Sequence, residues 1–166
     1  MTLLLAAVGA TVMALFETSI GPYLQIFTAQ PHLVLVVGIV VTVAVGLEAG
    51  LVWAFVGGLV LDVVVQRPLG STSFALLLCM GATSIMARVF VRFRLLVPIL
   101  ATAVLSLAYS MILFVAFNAL QARIPVQDPI NMLLPGLVYD TLLAALIGPL
   151  AISVHDRRID PERVDW

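Results

Sequence analysis

Residues 57–78, GGLVLDVVVQRPLGSTSFALLL, contain two apolar runs separated by a short polar break. Asp62 lies within the first run, and the break includes Arg67 followed by Pro68, Leu69 and Gly70. Proline fixes φ at a value that suits a turn, and glycine tolerates positive φ, so this tripeptide is a turn signal. The stretch predicts two helices joined by a tight reversal, with a charged side chain close to that reversal.

The composition of the whole chain indicates that it is surrounded by lipid rather than water. Of its 166 residues, 63% are hydrophobic and 10% are charged, whereas soluble domains have roughly 45–50% apolar and about 25% charged residues. A water-soluble fold could not cover this much apolar side chain. We therefore predict an all-α, polytopic integral membrane bundle that forms a single domain.

Six apolar segments are candidates for membrane-spanning helices, each of which needs about 20 residues. They cover residues 3–20, 33–47, 49–65, 73–91, 95–120 and 132–154. The second and third are close to the lower length limit, so a re-entrant pair that does not cross the membrane stays open as an alternative there. Residues 1–155 are predicted to form the membrane-embedded domain, and residues 156–166 a short polar tail.

The distribution of arginine predicts the orientation of this bundle. The chain contains no lysine, and its positive side chains are eight arginines. With six spans, one face receives Arg67 and Arg123, and the opposite face receives the other six. Because positively charged residues favour the cytoplasmic side of membrane proteins, we expect both termini and the polar tail to be cytoplasmic.

Several classes of function have little support in the sequence. Eight scattered arginines are too few for a nucleic-acid surface, and the single Cys79 excludes an intrachain disulfide. No cysteine or histidine spacing suggests a metal site, and no nucleophile can be placed beside a base. We therefore expect neither catalysis nor a metal or cofactor, and no nucleic-acid partner.

Acidic residues within the apolar segments are the main candidates for a site, because a charge inside a membrane is costly. The simplest interpretation of Asp62 is an acid near the interface that leans outward and pairs with Arg67. Asp140 is expected to face the bundle interior, where it is either protonated or hydrogen-bonded to a hydroxyl or backbone group. The alternative is that Asp62 and Asp140 belong to one outward-facing polar pocket, with Glu17 in the same half of the membrane.

Small residues recur at every fourth position in two segments, which places them on one ridge of each helix. Such ridges let another helix approach closely. Two explanations of these ridges remain open: packing within the bundle, and docking of a partner's membrane helix. The predicted docking positions are Ala6, Ala10 and Ala14 in the first segment and Gly46, Gly50, Ala54 and Gly58 around the third.

The stretch from Gly57 to Arg88 resembles the MreD family of rod-shape-determining membrane proteins. The specific part is Leu61-Asp62 followed by Arg67-Pro68-Leu69-Gly70. The end of the chain fits the same pattern through Pro135, residues 138–143 (VYDTLL), Pro149 and Arg157-Arg158. The resemblance extends over nearly the whole length, and we expect its motif residues and Asp140 to have structural roles.

This resemblance implies a non-enzymatic scaffold or regulator of the cell-elongation complex in the bacterial inner membrane, supporting peptidoglycan synthesis and cell shape. The implied partner is a bitopic protein such as MreC. Through it the chain would connect to the MreB filament and to a RodA-type glycosyltransferase with its transpeptidase. The resemblance also implies a fold similar to the substrate-binding subunits of energy-coupling-factor transporters.

A second function from another class is a substrate-binding membrane subunit of a vitamin-type transporter. The three acids Glu17, Asp62 and Asp140 motivate it, because an outward pocket lined by them could hold a small cationic or polar ligand. The Asp-to-Gly segment around the reversal favours the scaffold over this alternative.

Overall fold

The computed structural model describes residues 1–23, 30–90, 96–119 and 129–159. Within these ranges the chain is all-helical, as the composition predicts. Its helices are α1 (Thr2–Ile20), α2 (Leu33–Ala44), α3 (Leu47–Val64), α4 (Ser71–Val89), α5 (Val97–Ala119) and α6 (Pro129–Ile159), with a short 3₁₀ turn at Gly21–Tyr23. Five of them, all except α2, are long and apolar enough to cross a membrane. α6 continues beyond the predicted end at residue 154 and into the predicted tail.

The helices alternate in direction along the chain. Ser106 of α5 contacts Asp140 of α6, and Pro98 contacts Gly148, so these two helices are antiparallel. Other contacts between helices show that α1, α3 and α5 run in one direction, and α2, α4 and α6 in the other. We call the end of the bundle where α3 ends and α4 begins the Asp62 end. Consequently α1 begins, and α6 finishes, at the opposite end.

The short helix α2 occupies the centre of the bundle. It packs against all five other helices, and ten of its twelve residues are buried. Twelve residues extend about 18 Å at 1.5 Å per residue, which is less than the roughly 30 Å of membrane hydrocarbon. α2 stops before the predicted end at residue 47, because Gly46 adopts a φ of 123° and turns the chain into α3. α3 itself is long enough to span a membrane.

The small-residue ridges pack against helices of the same chain. Gly58 lies against the backbone of Ser73 in α4, and Gly50 lies against the Thr42 side chain in α2. Ala10 of α1 packs on Gly57. Ala6, Ala14 and Ala54 are also buried, whereas Gly46 precedes α3 in the turn. Six of the seven positions predicted to dock a partner helix are therefore buried within this chain, and packing within the bundle describes them. Gly46 is partly exposed, and a Cβ atom there would meet nothing within 4 Å.

Candidate functional site

Asp62 caps the N-terminus of the neighbouring helix α4. Its fully buried carboxylate accepts hydrogen bonds from the backbone N–H groups of Gly70 (2.8 Å to Oδ2) and Thr72 (3.1 Å to Oδ1). The Ser71 hydroxyl donates a further bond of 3.3 Å to Oδ1. The first N–H groups of a helix have no partner within it, and its dipole favours negative charge there. The charge in the apolar run thus fixes the angle between α3 and α4.

The reversal between these helices is built from a helix-terminating backbone motif. The Arg67 N–H donates to the carbonyl of Asp62 over 2.8 Å, and the Gln66 N–H donates to the carbonyl of Val63 over 3.4 Å. Gln66 has a φ of 56°, the left-handed conformation that this type of helix end requires. Ser71 then donates its N–H to the Pro68 carbonyl (3.1 Å), which closes the turn that the sequence predicts.

The predicted pairing of Asp62 with Arg67 is wrong. Asp62 does not lean outward, because it is fully buried and its oxygen atoms are occupied by the first turn of α4. The guanidinium of Arg67 instead lies 5.8 Å from the centre of the Phe117 ring in α5. Backbone amides fixed by the turn require no further ordering to reach the carboxylate, whereas a long arginine side chain loses conformational freedom when it is held in an ion pair.

A second buried carboxylate, Asp140 of α6, holds the beginning of α2. Its Oδ1 accepts the backbone N–H of His32 (2.8 Å), and its Oδ2 lies 2.9 Å from Nδ1 of the same histidine. The hydroxyl of Ser106 in α5 donates to Oδ2 over 2.6 Å. Asp140 thus faces the interior and bonds to a hydroxyl and a backbone group, the arrangement that the sequence analysis expects.

Glu17 of α1 completes the attachment of α2. Its carboxylate accepts the N–H of Val34, in the first turn of α2, over 2.7 Å. The beginning of α2 is thus attached by carboxylates to α1 on one side and to α6 on the other. The ring of His32 also meets the ring of Tyr109 at 77° with centroids 5.2 Å apart, which adds a contact to α5.

Sequence reasoning did not identify His32 as a site residue. It is separated from Asp140 by 108 positions, and no local pattern links them. The available signal was indirect: a histidine directly before a very short, very apolar segment, with acids at a similar depth in other segments. A short helix that begins inside a bundle needs acceptors for its first N–H groups, and those acids supply them.

Each of the three acids has hydrogen-bond partners among the described residues. Asp62 is bonded to α4, while Glu17 and Asp140 are bonded to the first residues of α2 and to its flanking histidine. Across the described ranges, no group of three or more histidine, cysteine, aspartate or glutamate side chains could hold a metal ion. The hydrogen bonds of these three carboxylates join helices to one another at the Asp62 end.

Comparison with known proteins gives one match. The family model described as rod shape-determining protein MreD matches residues 1–153. No curated protein and no solved structure matches the chain, so the expected likeness to energy-coupling-factor subunits is not supported. Because the family match covers almost the entire chain, and the described helices form a membrane bundle with the expected reversal, this chain belongs to the MreD family of rod shape-determining proteins.

Proposed function

We propose that this chain is a non-enzymatic scaffold of the bacterial cell-elongation complex, and that it supports peptidoglycan synthesis by binding a bitopic membrane partner such as MreC. The observation that carries the proposal is the family match over residues 1–153, since that family acts in rod shape determination. The RodA-type glycosyltransferase, its transpeptidase and the MreB filament are reached through this partner.

The polar contacts support a scaffold because they join helices to one another. The Asp62 carboxylate fixes α3 to α4, and Asp140 with Glu17 fixes α2 to α6 and α1. A bundle whose helices are held at fixed angles presents fixed lipid-facing surfaces. Helices associate in membranes through close packing and polar contacts, so a stable surface geometry favours one specific partner helix.

We propose the bacterial inner membrane as the location, with both termini in the cytoplasm. The described helices place the beginning of α1 and the end of α6 at the same end of the bundle. Arg88, at the end of α4, belongs to that end as well. The excess of arginine near this end favours the cytoplasmic side, and the Asp62 end then faces outward, toward the extracytoplasmic domain of a bitopic partner.

Photo-cross-linking from lipid-facing positions tests the partnership. A photoreactive amino acid replaces one exposed residue on each of four helices, namely Val12 of α1, Phe74 of α4, Val115 of α5 and Leu146 of α6. We expect a cross-link to an MreC-like partner from one face, or from two adjacent faces, in intact cells. The remaining faces are matched controls, because a single partner helix cannot contact all of them.

Two outcomes of this experiment contradict the scaffold proposal. In the first, none of the four positions cross-links to any protein, although the substituted chains still support normal growth. The other is equal cross-linking from every face to unrelated abundant membrane proteins, which would indicate random collision in the bilayer.

A further inference from the structure

The contact between His32 and Asp140 combines a fully buried acid with a partly exposed base. The side chain of Asp140 is 0% exposed, whereas that of His32 is 30% exposed. Among the residues that the structure describes, this is the only ion pair. His32 is therefore the accessible member of the pair, whereas Asp140 lies wholly inside the bundle.

The charged and titratable groups around His32 come from several elements. Asp140 of α6 contacts it directly, and Glu17 of α1 lies nearby at the next N–H groups of α2. Tyr109 of α5 meets the ring edge, and Arg67 approaches from the reversal between α3 and α4. Asp62, on α3, points into the first turn of α4. Two carboxylates thus favour a protonated imidazole, and one guanidinium opposes it.

We propose that His32 and Asp140, supported by Glu17, form a proton-controlled latch that holds the beginning of α2 against α5 and α6. While His32 is protonated, the His32–Asp140 pair has no net charge, and the first residues of α2 are held at the Asp62 end. Loss of that proton to solvent leaves the Asp140 carboxylate as a buried charge without a compensating cation. Such a charge is strongly destabilising, and separating His32 from Asp140 relieves it.

The electrostatics of His32, which lies outside the membrane-spanning helices, agree with this geometry. Burial opposes the charged imidazole, but the hydrogen bond and the charge of Asp140, with a contribution from Glu17, outweigh it. The pKa of His32 is therefore raised above its ordinary value of 6.5. The stabilisation is fully present below pH 6.5 and is lost as the pH rises through the raised pKa.

Thermal unfolding of the purified full-length chain as a function of pH tests the latch. The chain has two histidines, so His155→Gln leaves His32 alone and is the reference protein. Between pH 6.5 and the raised pKa, we expect its folding equilibrium constant to fall by up to tenfold per pH unit. A second substitution, His32→Gln, is expected to abolish this fall. The same fall in the doubly substituted protein would overturn the proposal.

Titration of the His32 imidazole, followed by nuclear magnetic resonance, is a second test. It does not require the His32→Gln variant to fold. In the His155→Gln protein, we expect the His32 ring to titrate above pH 6.5. Adding Asp140→Asn preserves an oxygen for the His32 N–H but removes the charge, so the titration should move to lower pH. A ring that titrates at or below 6.5 in the reference protein, or that does not respond to Asp140→Asn, contradicts the latch.

Discussion

Replacing Asp62 by alanine is expected to lower the free energy of unfolding by about 2–4 kcal/mol. The substitution leaves the buried N–H of Thr72 and the partly buried N–H of Gly70 without their acceptor, and a buried donor without a partner costs about 1–3 kcal/mol. It also removes the negative charge at the positive end of the α4 dipole. Thermal or denaturant-induced unfolding in detergent measures the loss.

Asparagine at the same position is the matched control. Asp62→Asn keeps one oxygen for the α4 amides but loses the charge, so its stability should fall between those of the original protein and the alanine variant. Hydrogen exchange at Gly70 and Thr72 localises the effect. If these amides exchange no faster in Asp62→Ala than in the unsubstituted protein, the carboxylate is not the cap of α4.

Replacing Gly58 by alanine is expected to destabilise the bundle by about 1–3 kcal/mol, the usual range for overpacking. A Cβ atom at this position would overlap the backbone N and Cα of Ser73. Backbone atoms cannot turn aside as a flexible side chain can, so α4 has to move away from α3. The movement would also disturb the bonds between Asp62 and the first turn of α4. The midpoint of thermal unfolding reports the change.

Gly81 offers the control for this substitution. It lies in the middle of α4, and a Cβ atom there would meet nothing within 4 Å. Alanine is favoured over glycine inside a helix by roughly 0.5–1 kcal/mol, so Gly81→Ala should leave stability unchanged or slightly higher. If both variants lost the same amount of stability, the loss in Gly58→Ala would not come from the close approach of α4 to α3.

The sequence predicts the helices of this protein well because lipid imposes a simple length requirement. A run of about 20 apolar residues can satisfy its backbone only as a helix when it crosses a membrane alone. The reversal at Pro68 and Gly70 was equally predictable, since those residues have strong turn preferences. The short α2 was less predictable, because a helix surrounded by other helices of the chain need not span the hydrocarbon by itself.

Which groups bind the buried acids could not be read from the sequence. Proximity along the chain favoured Arg67 as the partner of Asp62, but the amides of α4 occupy the carboxylate. Likewise, nothing local connects Asp140 to His32, which only the folded bundle brings together. Every residue type except proline has a backbone amide, so the sequence does not show which amides a carboxylate binds. In the sequence, an acid that caps a neighbouring helix therefore looks the same as an acid that forms an ion pair.

The small-residue ridges show a related limit. Spacing of four correctly indicates a close helix approach at Gly50 and Gly58, yet it does not say whether the neighbour belongs to the same chain. In this bundle the neighbours are α2 and α4. A partner helix is therefore sought on the exposed faces of α1, α4, α5 and α6.

The shape of cells that lose this protein tests the central claim most directly. In the bacterium that carries the chain, controlled depletion followed by microscopy measures cell width and length over several generations. We predict that rods widen and become round, and that the intact chain supplied from a second copy restores them. Cells that stay rod-shaped with unchanged width after the protein can no longer be detected would contradict the account.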